Sequence, residues 1–141
     1  MDLQALPSYA PLRVGDLLVV PKPGGMINHW GVLIGWCVDT GEPVIASASG
    51  EYQRVVTQSL SEFSPRSPHQ RYRVAGRRLS DRVVVERALG AVGTRYSVTR
   101  ANCEQFVRFV HGFEMQSPQL SGWLAAFGLG VAAVPMIMSR S

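Results

Sequence analysis

The stretch ANCEQFVRFVHG, residues 101–112, decides the fold class of this 141-residue chain. Its apolar positions recur with the spacing of one helical face, at Cys103, Phe106, Val107 and Val110. Asn102 is suited to the N-cap and Gly112 to the position after the last turn. The pattern predicts an amphipathic helix with a cysteine in its first turn, which could either fill the core or react.

A second helix is predicted upstream, in SDRVVVERALGAVG, residues 80–93. Ser80 can cap it, and Asp81 lies in the first turn, where the helix dipole favours negative charge. Three consecutive valines also fit a strand, so this stretch is less distinctive than the first.

The first half of the chain is predicted to form strands. Short runs rich in valine or aromatic residues alternate with turn signals, at residues 13–20, 29–36, 44–49, 52–56 and 70–74. Strands followed by helices predict an α+β domain, with a small antiparallel sheet packed against helices.

Composition excludes several classes of protein. Hydrophobic residues make up 46% of the chain and charged residues 17%, which is typical of a folded protein and not of a disordered one. Two cysteines are too few for a disulfide framework or a four-cysteine zinc site, and no metal or organic cofactor is indicated. Because residues 1–10 lack a secretory pattern, we expect an intracellular, cytoplasmic location.

Net charge is +4, and 13 of the 14 basic residues are arginine. Arginine favours bidentate contacts with phosphates and carboxylates. The candidate anion-binding residues cluster in one segment, at Arg71, Arg73, Arg77, Arg78 and Arg82. A solvated surface, an anionic membrane and RNA phosphate all fit this cluster.

The C-terminal tail, residues 115–141, has no charged residue before Arg140. Its most apolar part, residues 123–138, would reach about 24 Å as a straight helix, which is short of the ~30 Å hydrocarbon core of a bilayer. A hydrophobic hairpin, an interfacial anchor, a short span and a helix packed on the domain all remain open. We favour membrane association, and set the domain boundary at residues 1–114.

Cys103 has the surroundings of a candidate nucleophile. In the first turn of a helix, unpaired N–H groups and the dipole lower a thiol pKa and could receive an oxyanion. The general base would be His29, at the start of a strand. His111 lies about 12 Å farther along the helix of Cys103, so it cannot be the partner. A cysteine on an apolar helix face also fits a plain core position.

Two stretches in this order, NHWGVLIG and NCEQFVRFVHG, resemble the H-box and NC motifs of the lecithin retinol acyltransferase-like family. The likeness extends from residue 14 to residue 112. It implies a circularly permuted papain-like domain in which Cys103 is the nucleophile and His29 the general base. The apolar tail after the NC motif is similar to that of the picornaviral H-box/NC branch.

One position departs from the family pattern. Cellular relatives carry a second histidine on the next strand, and the matching position here is Ala46. Ser47 or Ser49 could take over its orienting function only if the register shifts by one residue, since neighbouring residues face opposite sides. Glu51 is another alternative. If Ala46 replaces the orienting group, Ala46→His is expected to raise activity.

The resemblance implies a thiol-dependent acyltransferase or acyl hydrolase that acts on lipid esters at a membrane surface, without a cofactor. The alternative is a catalytically silent H-box/NC protein that serves as a membrane-associated or RNA-binding factor, as in viral replication. The lost histidine at position 46 and the arginine cluster favour the alternative.

Overall fold

The computed structural model describes residues 1–21, 28–66, 68–95, 100–113 and 137–138. In chain order, the strands are β1 (Asp2–Leu6), β2 (Leu17–Val20), β3 (His29–Cys37), β4 (Pro43–Ser49), β5 (Arg54–Ser59), β6 (Gln70–Ala75) and β7 (Ile137–Met138). The helices are α1 (Leu60–Phe63), α2 (Asp81–Ala91) and α3 (Arg100–His111). The α+β class predicted from the sequence is confirmed.

A single antiparallel sheet runs in the order β1-β6-β2-β3-β4-β5, and β7 pairs with the far end of β3. Five of these strands match predicted ones within a few residues, whereas β1, β7 and α1 were not predicted. Strand β3 is buried on both faces, since Val32, Leu33 and Ile34 are all inaccessible to solvent. This double burial explains its continuous apolar run.

The pairing of β3 with β4 fixes which side chains share a face. Gly31 pairs with Ser47, and the register shifts between Leu33 and Gly35. Gly35 has φ 154°, a backbone angle that favours glycine and suits a bulge. The bulge therefore decides which residues of β4 lie on the face of His29.

The short helix α1 follows directly from β5. Ser59 caps it, with its hydroxyl accepting a hydrogen bond from the Glu62 N–H, while the Glu62 carboxylate accepts the Ser59 N–H. This reciprocal pair is a capping box. It holds Phe63, the buried residue of α1, against the sheet.

Helices α2 and α3 pack against each other, and both contact β3. Ser80 caps α2 as predicted, accepting a hydrogen bond from the Val83 N–H. The prediction for α3 was wrong at its start, because the helix begins at Arg100 and Asn102 is its third residue and not its N-cap. Cys103 is therefore the fourth residue of the helix, at the end of the first turn.

Only residues 137–138 of the predicted tail lie within the described part of the chain, so the boundary at residue 114 stays a prediction. Backbone pairing joins Met138 to Trp36 and Ile137 to Cys37. No helix within the described residues has the length and apolar character needed to cross a membrane.

Candidate active site

His29 is the first residue of β3 and is half-buried. Its ring stacks on that of Phe63, with the centroids 4.5 Å apart and the planes at 28°. Gly31 lies two residues along on the same face, and a Cβ there would approach the Phe63 ring to 2.7 Å. A glycine at this position therefore lets α1 come close enough for Phe63 to contact the imidazole.

Cys103 is 3% exposed and forms part of the hydrophobic core. Burial raises the pKa of its thiol, and a smaller influence in the opposite direction comes from its own backbone N–H. This direction is opposite to the one expected from a thiol at a helix start. The surroundings of Cys103 therefore favour the thiol over the thiolate.

Helix α3 carries Cys103 and packs against β3 and β4. At the C-terminal end of α3, the His111 ring bonds to the Gly15 carbonyl. The Gly15 N–H in turn donates to the carbonyl of Leu33, in the middle of β3. Ahead of α3, Thr94 bonds to Val55 next to the last residues of β4.

The register of β4 against β3 separates the four candidates for the residue that would orient His29. Ala46 pairs with Val32 and so points to the face opposite His29, whereas Ser47 pairs with Gly31 on the face of His29. Ser49, two residues further, shares that face and accepts a hydrogen bond from the Tyr52 N–H at 3.3 Å. Glu51 is exposed in the turn that follows. In the structure, Ser47 and Ser49 therefore lie on the face of His29, where the sequence analysis placed them only after a shift of one residue.

A family model for lecithin retinol acyltransferase matches residues 10–112 of the chain. This span covers about three quarters of the sequence and includes both His29 and Cys103. The chain belongs to the lecithin retinol acyltransferase family. No curated protein and no solved structure matches the chain. Membership supports acyl transfer on a lipid substrate as the general class of activity.

In this family member, several of the candidate anion-binding arginines already have protein partners. Arg73 donates to both carboxylate oxygens of Asp16 at 3.1 Å, and Arg77 donates to Asp81 and to the Val14 carbonyl. Arg71 donates to the His69 ring at 3.0 Å. These contacts stabilise the fold around the start of β2.

Two other arginines of the cluster are exposed. Arg82 pairs with Glu86 at 2.9 Å, and its side chain is 86% accessible. Arg78 is exposed too, and its backbone N–H donates to the His111 carbonyl. An anionic partner of this surface stays a prediction, with Arg78 and Arg82 as the more accessible cations.

The sequence reasoning missed two residues that the structure places in important contacts. Phe63 lies in a stretch rich in serine and proline for which no helix was predicted, although the Ser59–Glu62 spacing of a capping box was available as a signal. His111 is fully buried, with its ring nitrogens 2.8 and 2.7 Å from the carbonyl oxygens of Val107 and Gly15. No local pattern indicates that contact across 96 residues.

Cys37, the second cysteine, is the last residue of β3 and is half-exposed. Hydrogen bonds from the hydroxyl and then the backbone N–H of Thr40 lower the pKa of its thiol. The more acidic and accessible thiol of the protein is therefore Cys37 and not Cys103. In the described residues, histidine, cysteine and carboxylate side chains form no group of three that could hold a metal ion.

Proposed function

We propose that this protein transfers an acyl group from a lipid ester through a thioester on Cys103, with His29 as general base. One observation carries the proposal. The family match spans both motifs, with Cys103 on helix α3 and His29 at the start of strand β3. A lipid substrate implies that the reaction takes place at a membrane surface.

In the first half-reaction, His29 takes the proton of the Cys103 thiol while the sulfur forms a bond to the acyl carbonyl carbon. The resulting oxyanion can be received by N–H groups in the first turn of α3. Its collapse breaks the ester C–O bond, and the imidazolium returns its proton to the leaving alkoxide. Water or an amine then attacks the thioester, and the thiol is regained.

The burial of the Cys103 thiol bears on how the nucleophile is formed. Because burial raises its pKa, thiolate is scarce in the resting protein. Deprotonation therefore belongs to the step of attack, when substrate brings the imidazole and the thiol within hydrogen-bond reach.

The test measures acyl-enzyme formation directly. Wild-type protein is mixed with a short-chain thioester or with phosphatidylcholine vesicles, and intact mass is recorded for an added acyl group that hydroxylamine removes. Cys103→Ser should carry no hydroxylamine-labile acyl group, and His29→Ala should form it at least about a hundredfold more slowly, the usual contribution of a general base. Equal labelling of wild type and Cys103→Ser would refute the proposal.

A second candidate, a catalytically silent factor that binds RNA or an anionic membrane, is favoured by the raised pKa of Cys103. A cysteine that only fills the apolar core needs no general base. Folded protein with no acyl adduct, together with RNA binding that weakens steeply with salt, would support this candidate. Arg78→Ala and Arg82→Ala would then each reduce the salt dependence by about one counterion.

A further inference from the structure

Ser47 carries a polar group that the fold itself does not explain. It lies in the middle of β4 and is inaccessible to solvent. Within the described part of the chain, its hydroxyl has no hydrogen-bond partner. An unsatisfied buried hydroxyl destabilises a protein, and alanine of nearly the same size occupies the two neighbouring positions, Ala46 and Ala48, without that cost.

The strand pairing places this hydroxyl beside His29. Ser47 pairs with Gly31, and His29 is two residues from Gly31 on the same face. Diagonal neighbours of this kind have Cα atoms about 7–8 Å apart, which an imidazole can span to a short side chain. The side chain that lies over Gly31 is the ring of Phe63, which comes from α1.

The Phe63 ring is the third group at this place, beside His29 and Ser47. Its ring stacks on His29 and fills the space where a Cβ of Gly31 would lie. The imidazole therefore has an apolar ring against one face, and the Ser47 hydroxyl lies on the same face of the sheet. Such surroundings orient a ring better than open solvent does.

Other residues fit this role less well. Ala46 points to the opposite face, and Glu51 is exposed. Ser49 shares the face of His29, but its hydroxyl already accepts from the Tyr52 N–H. Ser47 is the one of these three polar candidates whose hydroxyl is both buried and unsatisfied within the described residues.

We infer that Ser47 is a positioning residue for His29, and this inference rests on the proposed function. In the reactive state, the Ser47 hydroxyl accepts a hydrogen bond from Nδ1–H of His29. That bond fixes the tautomer in which Nε2 is free to take the thiol proton, and it stabilises the imidazolium that results. The hydroxyl itself keeps its proton throughout.

The experiment compares Ser47→Ala with Ser49→Ala as a matched control and with Ser47→Thr as the variant that keeps the hydroxyl. Ser47→Ala should lower kcat about five- to tenfold with KM unchanged, the effect of losing one neutral hydrogen bond in the transition state. Its thermal stability should stay equal or rise, because the unsatisfied hydroxyl is gone. Ser49→Ala and Ser47→Thr should keep most of the activity.

Nitrogen-15 NMR of the histidine rings supplies a readout independent of turnover. In wild type with an unreactive ester analogue bound, His29 should be protonated at Nδ1, and Ser47→Ala in the same complex should give a mixture of tautomers or favour Nε2–H. Unchanged kcat together with an unchanged tautomer would overturn the inference. If wild type forms no acyl-enzyme, the proposed function fails, while the tautomer alone still decides whether Ser47 orients His29.

Discussion

At the scale of single residues, Gly31 controls how closely Phe63 approaches His29. A Cβ at position 31 would lie 2.3 Å from Cγ2 of Ile45 and 2.7 Å from the Phe63 ring. Gly31→Ala is therefore expected to lower the free energy of unfolding by about 1–3 kcal/mol through overpacking, and to displace the ring from His29. Urea denaturation and acyl-enzyme formation check the two effects.

A second substitution, Phe63→Leu, tests whether the collision with the Phe63 ring causes the loss of stability. Leucine is smaller at the point of collision, so the double variant Gly31→Ala/Phe63→Leu should recover part of the lost stability. A Gly31→Ala variant that is as stable as wild type would contradict the packing described for this corner of the sheet.

The two thiols of the resting protein should differ in reactivity. Cys37 is half-exposed with a lowered pKa, whereas Cys103 is buried with a raised one. Iodoacetamide at pH 7 is therefore expected to label Cys37 first, as peptide mapping of a time course would show. Measured in a Cys37→Ser background, rapid labelling of Cys103 at the same pH would mean that its thiol is activated before substrate binds.

At position 46, the strand register reverses a prediction made from the sequence. From the sequence alone, Ala46→His was expected to restore an orienting group, but Ala46 is fully buried on the face opposite His29. A histidine there should lower the free energy of unfolding by about 2–4 kcal/mol, from overpacking and the burial of a polar ring, without a gain in activity. Thermal denaturation and the thioester assay test this, and a more active Ala46→His variant would show that the register is different in solution.

At the scale of elements, β4 shows why the site could be predicted only in part. His29 and Cys103 follow from short motifs and from helical spacing. The face of each β4 residue does not follow, because residues 45–49 are all buried and show no alternation. The pairing depends instead on the bulge between Leu33 and Gly35, which local sequence does not reveal. The helix start was missed for a related reason, since a suitable N-cap residue can also lie inside the first turn.

The stability of the fold is expected to depend on pH through His111, the last residue of helix α3. Burial lowers the pKa of His111 from its ordinary value of 6.5, although the carbonyls of Val107 and Gly15 act in the opposite direction. Nearby Arg77 lowers this pKa and Asp16 raises it. As pH falls below 6.5, the unfolded chain binds the proton first, so stability present above that pH is lost.

Chemical denaturation between pH 7.5 and 5 measures this contribution. The free energy of unfolding should fall with decreasing pH in wild type, and it should fall less in His111→Gln, whose side chain does not titrate. Equal slopes for the two proteins would show that other groups cause the acid sensitivity.

At the scale of the whole molecule, the question is whether the six-stranded sheet and its helices form a complete fold without the apolar tail. The core within the described residues comes from residues 14–110, and the family span ends at residue 112. From the tail, β7 adds two backbone-paired residues to β3. A chain ending at residue 119 should therefore unfold cooperatively, with a loss of about 1–2 kcal/mol for the missing pairing.

The same truncated chain tests the proposed membrane contact of the tail. Vesicle flotation with anionic lipids should show binding by the full chain and little by the truncated one, because residues 115–139 carry no charge and are largely apolar. Undiminished binding by a folded truncated chain would move the contact to the exposed cations Arg78 and Arg82, and high salt should then abolish it. A truncated chain that aggregates would instead show that the tail packs on the domain, since apolar surface left uncovered drives association.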